Sequence, residues 1–110
     1  MSKDKQQGGV KFDNEKPQIS LIPSEVITGM AEVLTFGARK YNKFNWLAGI
    51  NYSRLIDAAN RHLLAFQRGE DLDNESGKSH LLHCMVNLAF LYYFTNHKPE
   101  LDDRWENKNV

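Results

Sequence analysis

The sequence predicts an all-α fold: a small bundle of three main helices with an extended N-terminal arm, completed by oligomerisation. Three observations predict it. Apolar residues recur at helical spacing in three separate segments, and residues 1 to 23 lack any such periodicity. The last of the three segments is apolar over most of its circumference, which demands enclosure by protein.

The arm comes first. Gly8, Gly9, Pro17 and Pro23 punctuate the stretch before the first helix, so it reads as extended chain behind a polar tail, 1–8, expected to be disordered. From Ser24, residues Val26, Ile27, Met30, Val33, Leu34, Ala38 and Tyr41 mark the first helix, with Pro23 and Ser24 as entry signals. Gly29 and Gly37 weaken it without abolishing it. A loop from Asn42 to Asn51 carries Phe44, Trp46 and Gly49. Leu55, Ile56, Ala59, Leu63 and Phe66 then define a second helix that stops near Gly69.

The acidic loop Glu70 to Glu75 precedes Ser76, read as the N-cap of a third helix reaching about Asn96. On that helix Leu81, Leu82, Met85, Val86, Ala89, Phe90 and Tyr93 cover most of the wheel. Three short helices barely surround so broad a surface, so a homodimer or higher oligomer is expected, with the third helices near its interface. A single domain over 9–97 and a polar C-terminal tail over 98–110 complete the organisation. Leu101 and Trp105 are the tail's apolar residues, and Trp105 reads either as a latch on a neighbour or as a surface aromatic.

Charge excludes some partners. Lysine plus arginine and aspartate plus glutamate both number 14, so no overall field draws the chain to long nucleic acid or to an anionic membrane. Polyanion binding must come from a local patch. The run Met85 to Phe94 is interrupted by Asn87 and is far short of the roughly 20 residues that span a bilayer. A single cysteine, Cys84, in an apolar run and a polar N-terminus without a signal-peptide core point to a reducing cytoplasm.

Chemistry concentrates in the third helix and its leading loop. His80, His83, Cys84 and Asn87 fall at i, i+3, i+4 and i+7, one polar stripe on an otherwise apolar helix. Imidazoles one turn apart are able to share a metal ion, and Glu70, Asp71, Asp73 and Glu75 offer carboxylates to complete its shell. The same histidines equally serve as hydrogen-bond partners of the acidic loop or as a helix cap. His62 shares a face of the second helix with Leu55, Ala58, Ala59 and Phe66, so it points inward. It is either a satisfied core histidine or a third imidazole of the same site.

Basic residues lie apart from this cluster: Lys11 and Lys16 in the arm, Lys40 after the first helix, Arg54 and Arg61 on the second. Lys40 stands out because Tyr41, Phe44, Asn45 and Trp46 follow it, offering aromatic faces for a base and an amide to read its edge. The other reading places Phe44 and Trp46 in the core.

Four blocks in one order resemble a phage-encoded family, the dATP/dGTP diphosphohydrolase N-terminal domain. They are KFDNEKPQISLIP (Lys11 to Pro23), LTFGARKYNKFNW (Leu34 to Trp46), YSRLIDAANRHLLAFQRGEDLD (Tyr52 to Asp73) and ESGKSHLLH with Asn87. The resemblance implies action on purine deoxynucleoside triphosphates with release of diphosphate, in a phage-infected bacterial cytoplasm. The chain is also distantly similar to the all-α nucleotide pyrophosphohydrolases of the MazG type, which implies carboxylate-held magnesium that activates water. The cofactor expected here is a divalent metal, with magnesium, manganese and zinc left open. Those enzymes carry E-x-x-E and E-x-x-D pairs on helices, where this chain has His80, His83 and Asn87.

The leading expectation is therefore a hydrolase. Its catalytic residues are His62, Glu70 and Asp71; its metal ligands Asp71, Asp73, Glu75, His80 and His83; its nucleotide contacts Lys11, Lys16, Lys40, Asn45, Trp46, Arg54 and Arg61. The alternative is a non-catalytic sponge sequestering a nucleotide second messenger of a bacterial defence system. A structural or protein-inhibiting role leaves the polar stripe unexplained.

Overall fold

The computed structural model describes residues 8–106, so the expected disorder of 1–8 falls almost wholly outside the described residues. Among these residues the fold is all-helical, with three α-helices: α1 (Ser24–Tyr41), α2 (Tyr52–Gln67) and α3 (His80–His97). Short 3-10 turns at Ile19–Leu21, Asn45–Ala48 and Pro99–Leu101 join or extend them. The α2–α3 pairing is the most extensive helix contact, and α1 packs chiefly on α3. The arm from Gly8 to Glu25 is exposed throughout.

α1 begins at the expected Ser24 and buries Gly29 and Val33. Gly29 is where α1 touches α3: a Cβ built there meets Leu82 Cδ1 at 2.6 Å. Gly29 therefore costs helix propensity but permits close approach. Tyr52 opens α2 and Phe94, fully buried, lies near the end of α3; with Leu55 they form a core ringed by Trp46, Ile50, Phe90, Leu91 and Leu101. The Tyr52 hydroxyl sits 3.2 Å from the Phe94 carbonyl oxygen and donates to it, so the buried phenol is satisfied.

α2 has no side-chain cap of its own at Asn51. Asp103 supplies one from the C-terminal segment, accepting from the Ser53 N–H at 2.8 Å and from its hydroxyl at 2.6 Å. One free N–H of the first turn is thereby satisfied across 50 residues of chain.

The start of α3 corrects the sequence reading. The helix begins at His80 with Ser79 as N-cap, its hydroxyl accepting from the Leu81 N–H at 3.0 Å, and not at Ser76. An antiparallel bridge between Leu72 and Ser79, an Asp73 N–H donated to the Lys78 carbonyl at 2.8 Å and a left-handed Gly77 (φ +71°) commit residues 72–79 to a tight turn. Enclosure of α3 by one chain is partial. Val86 and Phe94 are buried, but Leu88 and Tyr92 are 49% and 71% exposed, so one chain leaves a side of α3 open.

Candidate metal and nucleotide site

The turn and the two longest-paired helices converge on four side chains. His62 projects from α2 and His80 from the first residue of α3, and their Nδ1 atoms stand 2.8 Å apart. His83, one helical turn beyond His80, stacks on His62 with ring centroids 4.6 Å apart and planes at 11°. Asp73 reaches in from the turn, with Oδ2 3.8 Å from His83 Nε2.

Local structure dictates which acid arrives. Asp73 Oδ2 accepts the Ser76 N–H at 2.8 Å, the kind of side-chain-to-backbone bond with which aspartate shapes a turn. Ser76 Oγ in turn lies 2.6 Å from His83 Nε2. Asn87 donates to the His83 carbonyl at 2.9 Å, a bond within α3. His80, His83 and Asn87 of the polar stripe thus each find a partner.

Burial acts first on the imidazoles. It lowers His62 below the ordinary histidine value, helped by His83 and His80. Burial also lowers His83, against the pull of the Asp73 charge. Asp73 is lowered too, but toward its charged form: burial opposes the charge, and the Ser76 N–H and hydroxyl, with His83 and His62, outweigh it and hold the carboxyl low. At neutral pH His62 and His83 are therefore neutral and the Asp73 carboxylate is ionised.

Such a set suits a cation. One atom each from His62, Asp73 and His80 lie within 4.8 Å of one another, two imidazole nitrogens and one carboxylate oxygen. These are donors that divalent transition ions accept.

Beside the cluster opens a cleft of about 860 Å³, lined by His62, Asp73, His83 and Asn87 and also by Lys40, Phe44, Asn45 and Arg54. Lys40 Nζ lies 2.6 Å from Glu75 Oε2, and this ion pair holds the Lys40 ammonium above the ordinary lysine value. It ties the end of α1 to the turn. Phe44, 67% exposed, sits in the left-handed region at φ +58°, unusual for a bulky side chain.

Not every expected residue arrives. His62, Asp73, His80 and His83 meet, and Lys40, Asn45, Trp46, Arg54 and Glu75 line the same cleft. Trp46, though, is engaged in the core, stacked on Phe90 at 4.4 Å with its edge contacts to Tyr93 and Phe94. Glu70 pairs with Arg68 at 3.7 Å, and Asp71 is exposed and contributes its backbone carbonyl to the His80 N–H. Lys11, Lys16 and Arg61 are exposed and line no part of the cleft. Ser76 escaped sequence reasoning as a site residue, because a serine before an apolar helix reads as a cap. Gly77 immediately after it was the available signal for a turn.

The fold and the cluster define a small all-helical domain with a histidine–carboxylate centre beside a basic, aromatic cleft. The chain belongs to the family described as dATP/dGTP diphosphohydrolase, N-terminal, whose model matches residues 6–104. It is 38% identical over 96 residues to a Salmonella phage PMBT28 protein named dATP/dGTP diphosphohydrolase. That match covers 87% of this chain and 33% of the relative, so the chain spans about a third of the relative's length. No solved structure gives a significant match.

Proposed function

We propose that this domain hydrolyses the purine deoxynucleoside triphosphates dATP and dGTP to monophosphate and diphosphate, with a divalent metal ion as cofactor. The observation that carries the reading is the cleft, which joins His62, Asp73 and His83 to Lys40, Arg54 and the exposed Phe44. The name of the phage relative supports the substrate.

In this reading the base stacks on Phe44 and its edge meets Asn45, while Lys40 and Arg54 neutralise the triphosphate. Lys40 exchanges Glu75 for a phosphate oxygen. His62, His80 and Asp73 would hold a divalent ion, which would supply Lewis acidity toward the phosphoryl oxygens and acidify water. His83, which lines the cleft, donates its Nε2–H to Ser76 Oγ and so keeps its other ring nitrogen, Nδ1, free to receive the proton of the attacking water. A water oxygen bonds to the α-phosphorus as the bond from that phosphorus to the bridging oxygen breaks, and diphosphate leaves. Lys11, Lys16 and Arg61 stay outside this assignment.

The setting proposed is a homo-oligomer in the cytoplasm of a phage-infected bacterium. The open side of α3 and the phage relative support it. Among the described residues no helix is long and apolar enough to cross a membrane.

The test is incubation of the chain with dATP or dGTP and magnesium, manganese or zinc, following diphosphate release. Turnover is expected, falling about ten- to a hundredfold in kcat/KM for Lys40→Ala with the loss of a charged phosphate contact. No turnover with any ion, together with intact nucleotide recovered from a denatured loaded complex, replaces hydrolysis by sequestration.

A further inference from the structure

We infer that His62 Nδ1, His80 Nδ1 and Asp73 bind a single ion of the zinc class, a borderline transition metal in tetrahedral coordination, and that this centre discriminates against magnesium. The inference deepens the proposed function and rests on that reading for the ion's presence in this cluster; the ion's identity comes from the donors themselves.

The donor types decide first. Magnesium takes oxygen ligands in octahedral geometry and keeps several waters, whereas imidazole suits zinc, copper, iron and nickel. Here two of the three converging atoms are imidazole nitrogens. The acids that would have made an oxygen-rich shell are directed elsewhere. Glu75 is paired with Lys40, Glu70 with Arg68, and Asp71 is exposed.

Distance decides next. Two nitrogens each about 2.0–2.1 Å from a tetrahedral zinc-class ion lie about 3.3–3.4 Å apart. The His62 and His80 Nδ1 atoms are 2.8 Å apart, so the rings separate by only about half an ångström to admit the ion. Without an ion one Nδ1 must carry a proton and donate it to the other, since two lone pairs do not face each other at that distance. Binding shifts that proton to the Nε2 of its own ring, so that both Nδ1 lone pairs face the ion.

The surroundings are preorganised for this set. His83 stacks flat on the His62 ring, and the Ser76 N–H occupies Asp73 Oδ2. The fourth coordination position then belongs to water or to a phosphate oxygen, as in metal centres that keep one open position. His62 and Asp73 both line the cleft from which such a ligand arrives.

The test uses the full chain, stripped of metal by a chelator and then titrated with cobalt(II), with zinc and with magnesium. Expected are the intense visible absorption of tetrahedral cobalt at one ion per chain, its displacement by stoichiometric zinc, and no displacement by a large excess of magnesium. His62→Ala, His80→Asn and Asp73→Asn should each weaken cobalt binding about a hundredfold or more. Ser76→Ala, which removes an outer hydroxyl, should weaken it about tenfold. His97→Ala, at the far end of α3, should leave it unchanged, and far-ultraviolet circular dichroism establishes that each variant is folded.

Octahedral or absent cobalt absorption in the unsubstituted chain overturns the inference, as does magnesium competing on equal terms. A loss in Asp71→Asn equal to that in Asp73→Asn overturns the choice of carboxylate. Metal binding without diphosphate release sinks the hydrolase and leaves the centre standing. Turnover supported by magnesium with no zinc-class binding does the reverse.

Discussion

His62 and His83 titrate against the fold. Burial lowers both below the ordinary value of 6.5, so the unfolded chain binds protons more readily than the folded one. Their contribution to stability is fully present above that value and is lost as pH falls through the lowered folded values. Asp73 adds a second loss lower down, since its carboxyl is held below 3.8 and its contribution fades as acid protonates it. Metal-free protein should therefore melt at progressively lower temperature from pH 7 to pH 5. The change should shrink in a His62→Gln, His83→Gln double variant, measured by thermal denaturation at each pH. An equal pH slope in the variant removes these imidazoles as its source. The histidines themselves were legible in sequence, because a helical wheel puts His80 and His83 on one stripe and turns His62 inward. Which carboxylate joins them was not. Asp71 and Asp73 are alike as letters, and only the Ser76 N–H bond and the turn built around it turn Asp73 inward.

At the scale of elements, all three helices were readable from apolar spacing, and the misread boundary has one cause. Ser76 and Ser79 both qualify as caps, but Gly77 between them takes a left-handed conformation that no helix continues through. Ser79 is left as the cap. The loop after α1 held the opposite ambiguity, between core and cradle, and the structure divides it: Trp46 stacks in the core and Phe44 stays exposed. The two glycines of α1 look equivalent in sequence and are not. Around Gly37 a Cβ would meet nothing within 4 Å, while at Gly29 it would meet Leu82 at 2.6 Å. Gly37→Ala should therefore stabilise the chain by about 0.5–1 kcal/mol, the helix-propensity gain with no packing cost. Gly29→Ala gains the same propensity but displaces Leu82 at the α1–α3 contact, so its net stability should fall short of that of Gly37→Ala. Urea denaturation of the two variants compares them directly, and a stabilisation of Gly29→Ala equal to that of Gly37→Ala would contradict the close contact.

The molecule as a whole is extended for its length, with a radius of gyration of 18.3 Å and dimensions of 53 × 38 × 29 Å. A compact domain of about 100 residues has a radius near 13 Å. Two features account for the excess surface. The arm lies away from the helices with Phe12, Ile19 and Leu21 largely exposed, and α3 shows Leu88 and Tyr92 on the side its own chain leaves open. Each fully buried aliphatic or aromatic side chain stabilises a fold by roughly 1.5–3 kcal/mol, so leaving several exposed forgoes an amount comparable to the whole stability of a small domain. Symmetric association would recover it, because a two-fold axis beside α3 would cover the same residues on both copies at once. Multi-angle light scattering at micromolar concentration should therefore give a mass at least twice the 12.7 kDa of one chain. Leu88→Lys combined with Tyr92→Lys should shift that mass toward the single chain, because two lysines brought against their symmetry mates bury like charge at the interface. A monomer mass for the unsubstituted protein would mean that α3 is content with one side in water, and would remove the reason for an oligomer.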